Sequence, residues 1–193
     1  MKTWIDLYRE HRAARSASGK EWSTHLRKRL IELAKAGHCD ATIQGRFTRQ
    51  KNGDLEEWFI RGKDADGSKP EPLKGLSGIE TATLDVLLLS DPRTGHIHKL
   101  TIAAQGKRKD GSTWVIAVHL PDDRIKDRPD GDRHGSGACG HPALHCHVGP
   151  DLKTVPKVRV PLPALDPPSV LDWVLSQITG YEPALWSEVN KHL

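Results

Sequence analysis

Little in this chain can act as a covalent staple. It has three cysteines in 193 residues, an odd set at positions 39, 139 and 146 that builds no disulfide framework. A reducing, cytoplasmic setting is therefore expected. Aromatic residues make up only 5% of the chain. Most are tryptophans at core-like positions such as Trp22, Trp114 and Trp173, which argues against a sheet of base-stacking aromatics. No apolar run approaches the roughly 18 residues of a membrane-spanning helix, so no membrane role is expected. Asp6 interrupts the start of the chain where a secretory signal needs apolar residues. Neither a dinucleotide-binding glycine fingerprint nor a phosphate-loop lysine motif occurs, and there is no Gly-x-Ser-x-Gly elbow. Charge of one sign is scarce too: 29 Lys and Arg face 25 Asp and Glu, for a net of +4. Such a balance permits nucleic-acid contact without demanding it.

What is present suffices for one soluble core. Hydrophobic residues are 36% of the chain, enough for a single α+β domain over residues 1–193. Two helices are expected first. Trp4, Leu7, Tyr8 and His11 share one helical face; Trp22, Leu26, Leu30 and Leu33 share another, after a Ser18–Glu21 capping box and before Gly37. The outer face of the second helix carries Arg27 and Lys28, basic residues able to meet phosphate. Strands follow: Thr42–Thr48, then an Asn52-Gly53 turn into Leu55–Arg61. Residues 64–78 read as a polar loop and a possible subdomain seam, with helices and a hairpin before it. After it, Thr83–Leu89, His96–Ala104 and Thr113–Leu120 form an antiparallel meander joined by tight turns. Short strands are expected at Leu144–Val148 and Lys157–Pro161. Asp166 and Pro167 then open a closing helix that buries Val170, Trp173, Val174 and Ile178, and a last short helix begins near Glu182.

Eleven histidines are the chain's unusual wealth, because imidazole changes charge near neutral pH. Four of them crowd together as His134, His141, His145 and His147, beside Cys139 and Cys146. If 144–148 is a strand, Leu144, Cys146 and Val148 face the core, while His145 and His147 stand together on the opposite, wetter face. His119, at the end of Thr113–Leu120, joins them if the two strands are neighbours. Three uses are open. The imidazoles can exchange protons with a phosphodiester without a metal; Cys139, His141, His145 and His147 can hold a structural zinc; or the segment is a surface turn with solvated histidines. A zinc-dependent hydrolase would also need a carboxylate base, for which Asp130 and Asp132 are near in sequence. His96 and His98 make a second same-face pair beside a turn. Lys107, Arg108 and Lys109 form the densest basic spot of the sheet region, suited to backbone phosphate.

The order of a His-x-His at 145–147, Gly149, a strand at 157–161 and a helix over 168–179 resembles the TumE-like toxins of bacterial toxin–antitoxin pairs. The resemblance covers residues 80–180, and the residues that carry across are His145 and His147. It implies a growth-inhibiting protein acting on RNA, with a protein inhibitor as partner. The expectation is thus a cytoplasmic, nucleic-acid-directed effector, RNA more than DNA, working as a metal-independent ribonuclease through His145, His147 and His119. The alternative is a non-enzymatic nucleic-acid- or protein-binding chain with a zinc at the Cys/His cluster.

Overall fold

A computed structural model describes residues 22–62, 69–122, 124, 144–150, 159–162 and 165–178. The expected helices at 4–11 and beyond 182, the Ser18–Glu21 cap, Asp130, Asp132, Cys139 and His141 lie outside them. The described residues form an antiparallel sheet with helices on one face. Helix α1 (Trp22–Lys35) buries Leu26, Leu30 and Leu33, the stripe its apolar spacing demands. Gly37, at φ +81°, ends it. The Gly37 N–H donates to the Ala34 carbonyl and the His38 N–H to the Leu33 carbonyl, the paired closure of a Schellman motif. A four-residue helix, α2 (Ile43–Arg46), precedes strand β1 (Phe47–Asn52). The expected strand over Thr42–Thr48 is thus mostly helix. Asp40 explains the change, because its carboxylate accepts from the Thr42 N–H and hydroxyl and turns the chain locally.

The remaining strands are β2 (Leu55–Ile60), β3 (Glu71–Leu73), β4 (Ile79–Ser90), β5 (Ile97–Arg108), β6 (Thr113–Leu120), β7 (His145–Gly149) and β8 (Arg159–Pro161). They are ordered β1-β2-β4-β5-β6-β7-β8. Strands β2 and β3 lie along the same edge of the long β4, pairing with Leu87–Ser90 and Ala82–Leu84 respectively. The polar stretch 64–78 therefore contains a strand, and residues on both sides of it share one sheet. The β1–β2 turn sits one residue later than Asn52-Gly53 implies: Asn52 pairs with Leu55, leaving Gly53 (φ +64°) and Asp54 as the loop.

Alternation sorts the sheet's two faces. Leu84, Val86 and Leu88 of β4, Leu100, Ile102 and Ala104 of β5, and Ile116 and Val118 of β6 join Cys146 in the main core. Against them pack α1 and α3 (Pro167–Ser176), whose Val170, Leu171, Val174 and Leu175 are buried. Each such aliphatic side chain contributes roughly 1.5–3 kcal/mol. Asp166 caps α3 by accepting from the Ser169 N–H at 2.7 Å, as its sequence position implies. Beneath the other face, Ala103, Val115 and Ala117 make a smaller apolar cluster. Among the described residues no helix is long and apolar enough to cross a membrane.

Candidate active site

The second face is where the histidines meet. Antiparallel pairing sets His119 of β6 opposite His145 of β7, and Ala117 opposite His147. Thr101 of β5 lies opposite His119, and Ala103 opposite Ala117. One row across the sheet therefore reads Thr101, His119, His145, and the next reads Ala103, Ala117, His147. On β8 the rows continue to Pro161, opposite His145, and Arg159, opposite His147.

The rings are close. Ring centres are 4.8 Å apart for His145 and His147, 5.3 Å for His119 and His147, and 6.2 Å for His119 and His145. The Nε2 atoms of His145 and His147 stand 3.0 Å apart, a hydrogen-bonding distance that needs one proton and one lone pair between them. Nδ1 of His119 meets the Thr101 hydroxyl at 3.3 Å, which turns Nε2 of that ring away from β5. Thr101 went unnoticed in the sequence, because its role depends on the β5–β6 register.

The sequence expectation of a wet face is corrected here. His145 is 3% exposed and His147 is 5% exposed; alternation assigns a side chain to a face but does not say how that face is covered. Cys146, between them, points into the opposite core and is fully buried. Burial pushes its thiol up to about 11, so it behaves as a small apolar residue and not as a ligand. Just past His119, Asp122 is buried and accepts three hydrogen bonds from Arg124, two from the guanidinium at 2.8 and 2.6 Å and one from the backbone N–H at 3.1 Å. The Arg124 guanidinium holds that carboxyl below the usual carboxylate range.

The basic residues singled out in the sequence stand away from the histidines. Arg27 is employed internally: Nη2 donates to the Phe47 carbonyl at 2.9 Å, and the guanidinium lies 5.4 Å from the Trp58 ring centre. Lys28 is exposed on α1, across the sheet from the histidines. Lys107, Arg108 and Lys109 do form an exposed hairpin tip, with Lys107 paired to Glu80 at 2.9 Å. Lys107 is six residues along β5 from Thr101, roughly 20 Å at the rise of an extended strand. One phosphate group cannot span that gap, whereas a nucleic-acid strand can. His96 and His98 do meet edge to face, with ring centres 4.6 Å apart, at the far end of β5 from the tip. Among the described residues, no group of three or more His, Cys, Asp or Glu side chains is placed so that it could hold a metal ion.

Comparison with protein-family models, with curated proteins and with solved structures finds no match.

Proposed function

We propose that this chain is a nucleic-acid-directed effector of the ribonuclease type, with His119, His145 and His147 as its reactive centre. The supporting observation is the convergence of three imidazoles from two paired strands, with ring centres 4.8–6.2 Å apart on a mostly buried floor. His145 and His147 are buried and His119 is half-buried; burying ionisable rings costs folding energy, which makes their convergence a functional-site candidate. The order of elements from 80 to 180 resembles the TumE-like toxins, which makes RNA the favoured substrate and a protein inhibitor the favoured partner. RNA also carries its own nucleophile, the 2′-hydroxyl: one imidazole would draw off its proton as that oxygen bonds to phosphorus, and a protonated one would hand a proton to the departing 5′-oxygen as its bond to phosphorus breaks, with the third steadying charge on phosphorus. A strand crossing from the Lys107–Lys109 tip to the histidines would have its backbone held at one end and its scissile bond at the other.

The test is incubation of the folded chain with total RNA. Cleavage is expected, and His145→Ala, His147→Ala and His119→Ala should each lower it at least a hundredfold with circular dichroism unchanged. Intact RNA would overturn the enzymatic reading. Retention of the chain on RNA, weakening steeply with salt, would then leave a binding protein in its place.

A further inference from the structure

The three imidazoles differ in what holds them. His145 and His147 face each other, with their Nε2 atoms 3.0 Å apart. That contact needs one proton between two nitrogens and breaks when both carry one, so the two rings work as a unit. His119 stands outside the pair, its ring centre 5.3 Å from that of His147 and 6.2 Å from that of His145. Its Nδ1 meets the Thr101 hydroxyl at 3.3 Å. Register puts Thr101 there: it lies directly opposite His119 on β6 and opposite Leu87 on β4. A β-branched side chain in a strand has few χ1 choices, so the hydroxyl is held where the ring meets it.

A hydroxyl can donate to a bare ring nitrogen or accept from a protonated one, and the hydrogen bond at one nitrogen sets which tautomer the ring adopts. A general base needs its reacting nitrogen unprotonated, which places the proton of the neutral ring on the other nitrogen. We propose that Thr101 is a positioning residue of this site: its Oγ1 accepts from the Nδ1–H of His119 and keeps Nε2 as the basic nitrogen. The same bond persists, and strengthens, when the ring becomes charged, so His119 gains and loses a proton without turning. In this assignment His119 takes the 2′-hydroxyl proton as that oxygen bonds to phosphorus. The protonated His145–His147 pair gives a proton to the 5′-oxygen as the bond between that oxygen and phosphorus breaks. This inference rests on the reading of the cluster as an RNA-cleaving centre, and it adds the division of roles: His119 as base, held by Thr101, and the pair as acid.

The experiment uses the full chain in two assays. The first is long-range proton–nitrogen NMR of the ¹⁵N-labelled chain at about pH 9, where an ordinary histidine is neutral. His119 is expected to show a protonated Nδ1 and a bare Nε2. Thr101→Val, which keeps the branched shape and so guards against misfolding, should mix the two tautomers, and Thr101→Ser should keep the wild-type one. The second assay is steady-state cleavage of a single-stranded RNA. Thr101→Val should lower kcat about 10–100-fold, the cost of misplacing a catalytic group by up to about 1 Å, with KM little changed, and Thr101→Ser should restore most of the loss. A His119 ring protonated on Nε2 overturns the inference, as does a tautomer that Thr101→Val leaves unaltered. So does cleavage that Thr101→Val leaves at the wild-type rate, or a loss that Thr101→Ser does not restore. The RNA reading fails separately: RNA left intact by a chain whose His119 tautomer follows Thr101 removes that reading alone, while cleavage that needs His119 but not Thr101 removes the Thr101 role alone.

Discussion

Replacing Asp172 by Asn should make the protein more stable at neutral pH, and by an amount that depends on pH in a defined way. Asp172 sits on α3 with its side chain 9% exposed, and Arg29 Nη2 of α1 is 3.1 Å from its Oδ2. That oxygen has no aligned hydrogen bond, and Arg29 is shared with Glu32, 2.5 Å from Nη1. Burial therefore outweighs the ion pair and raises the Asp172 carboxyl from 3.8 to about 6, with Glu32 and Asp166 adding to the rise and Arg29 opposing it. A shift of this size corresponds to about 3 kcal/mol, at 1.36 kcal/mol per pKa unit. Because the folded pKa lies above the unfolded one, the folded chain binds the proton more tightly between the two. The contribution of Asp172 to stability is then greatest below about pH 4 and is lost as pH rises through about 6. The amide of the substituted side chain cannot ionise. Urea unfolding of both proteins from pH 4 to pH 7 should show the stability of Asp172→Asn, relative to wild type, rising by about 2–3 kcal/mol. Other carboxylates cancel in that difference. A flat difference, or one that falls with pH, would mean that Arg29 outweighs burial and would refute the reasoning.

Three further outcomes follow from the same structure. Glu71 is fully buried, paired with Arg46 and accepting the Asp40 N–H at 2.9 Å; Arg46→Ala strands this carboxylate and should cost about 3–5 kcal/mol in a urea melt, so an unchanged midpoint would contradict the pairing. A Cβ on Gly106 would collide with the Thr81 carbonyl oxygen and stand 3.0 Å from the Trp114 ring; Gly106→Ala should lose about 1–3 kcal/mol, and a neutral result would mean the β4–β5 bulge yields freely. Burial raises the thiols of Cys39 and Cys146 to about 11, so a thiol reagent at pH 8 should reach neither until the chain is unfolded. Mass spectrometry of peptides would expose early labelling at either position.

Local pattern was readable along much of the chain. Strand Thr113–Leu120 has the bounds its sequence suggests, because Trp114, Ile116 and Val118 alternate with smaller residues and turn residues stand on both sides. The same period separated Cys146 from its histidine neighbours correctly. Reading failed where remote contacts decide. Arg27 looked like a free surface cation, but its partner Phe47 is 20 residues away in sequence and Trp58 is farther still. Strand β3 was hidden in a Gly- and Pro-rich stretch, since only pairing with β4 makes Glu71–Leu73 extended. Thr101 carried no signal by itself: its contact with His119 needs both the hairpin and its register. Candidate site residues were therefore legible as faces and neighbours, while their burial and mutual distances were not.

The most direct measurement for the central claim is cleavage of a defined single-stranded RNA by the full chain in excess chelator, beside its His119→Gln, His145→Ala and His147→Ala variants. Cleavage by the wild-type chain that each variant lowers at least a hundredfold, with the fold unchanged by circular dichroism, is expected of a reactive centre built from these imidazoles. RNA left intact by the folded wild-type chain, or cleavage that the variants retain, would contradict it.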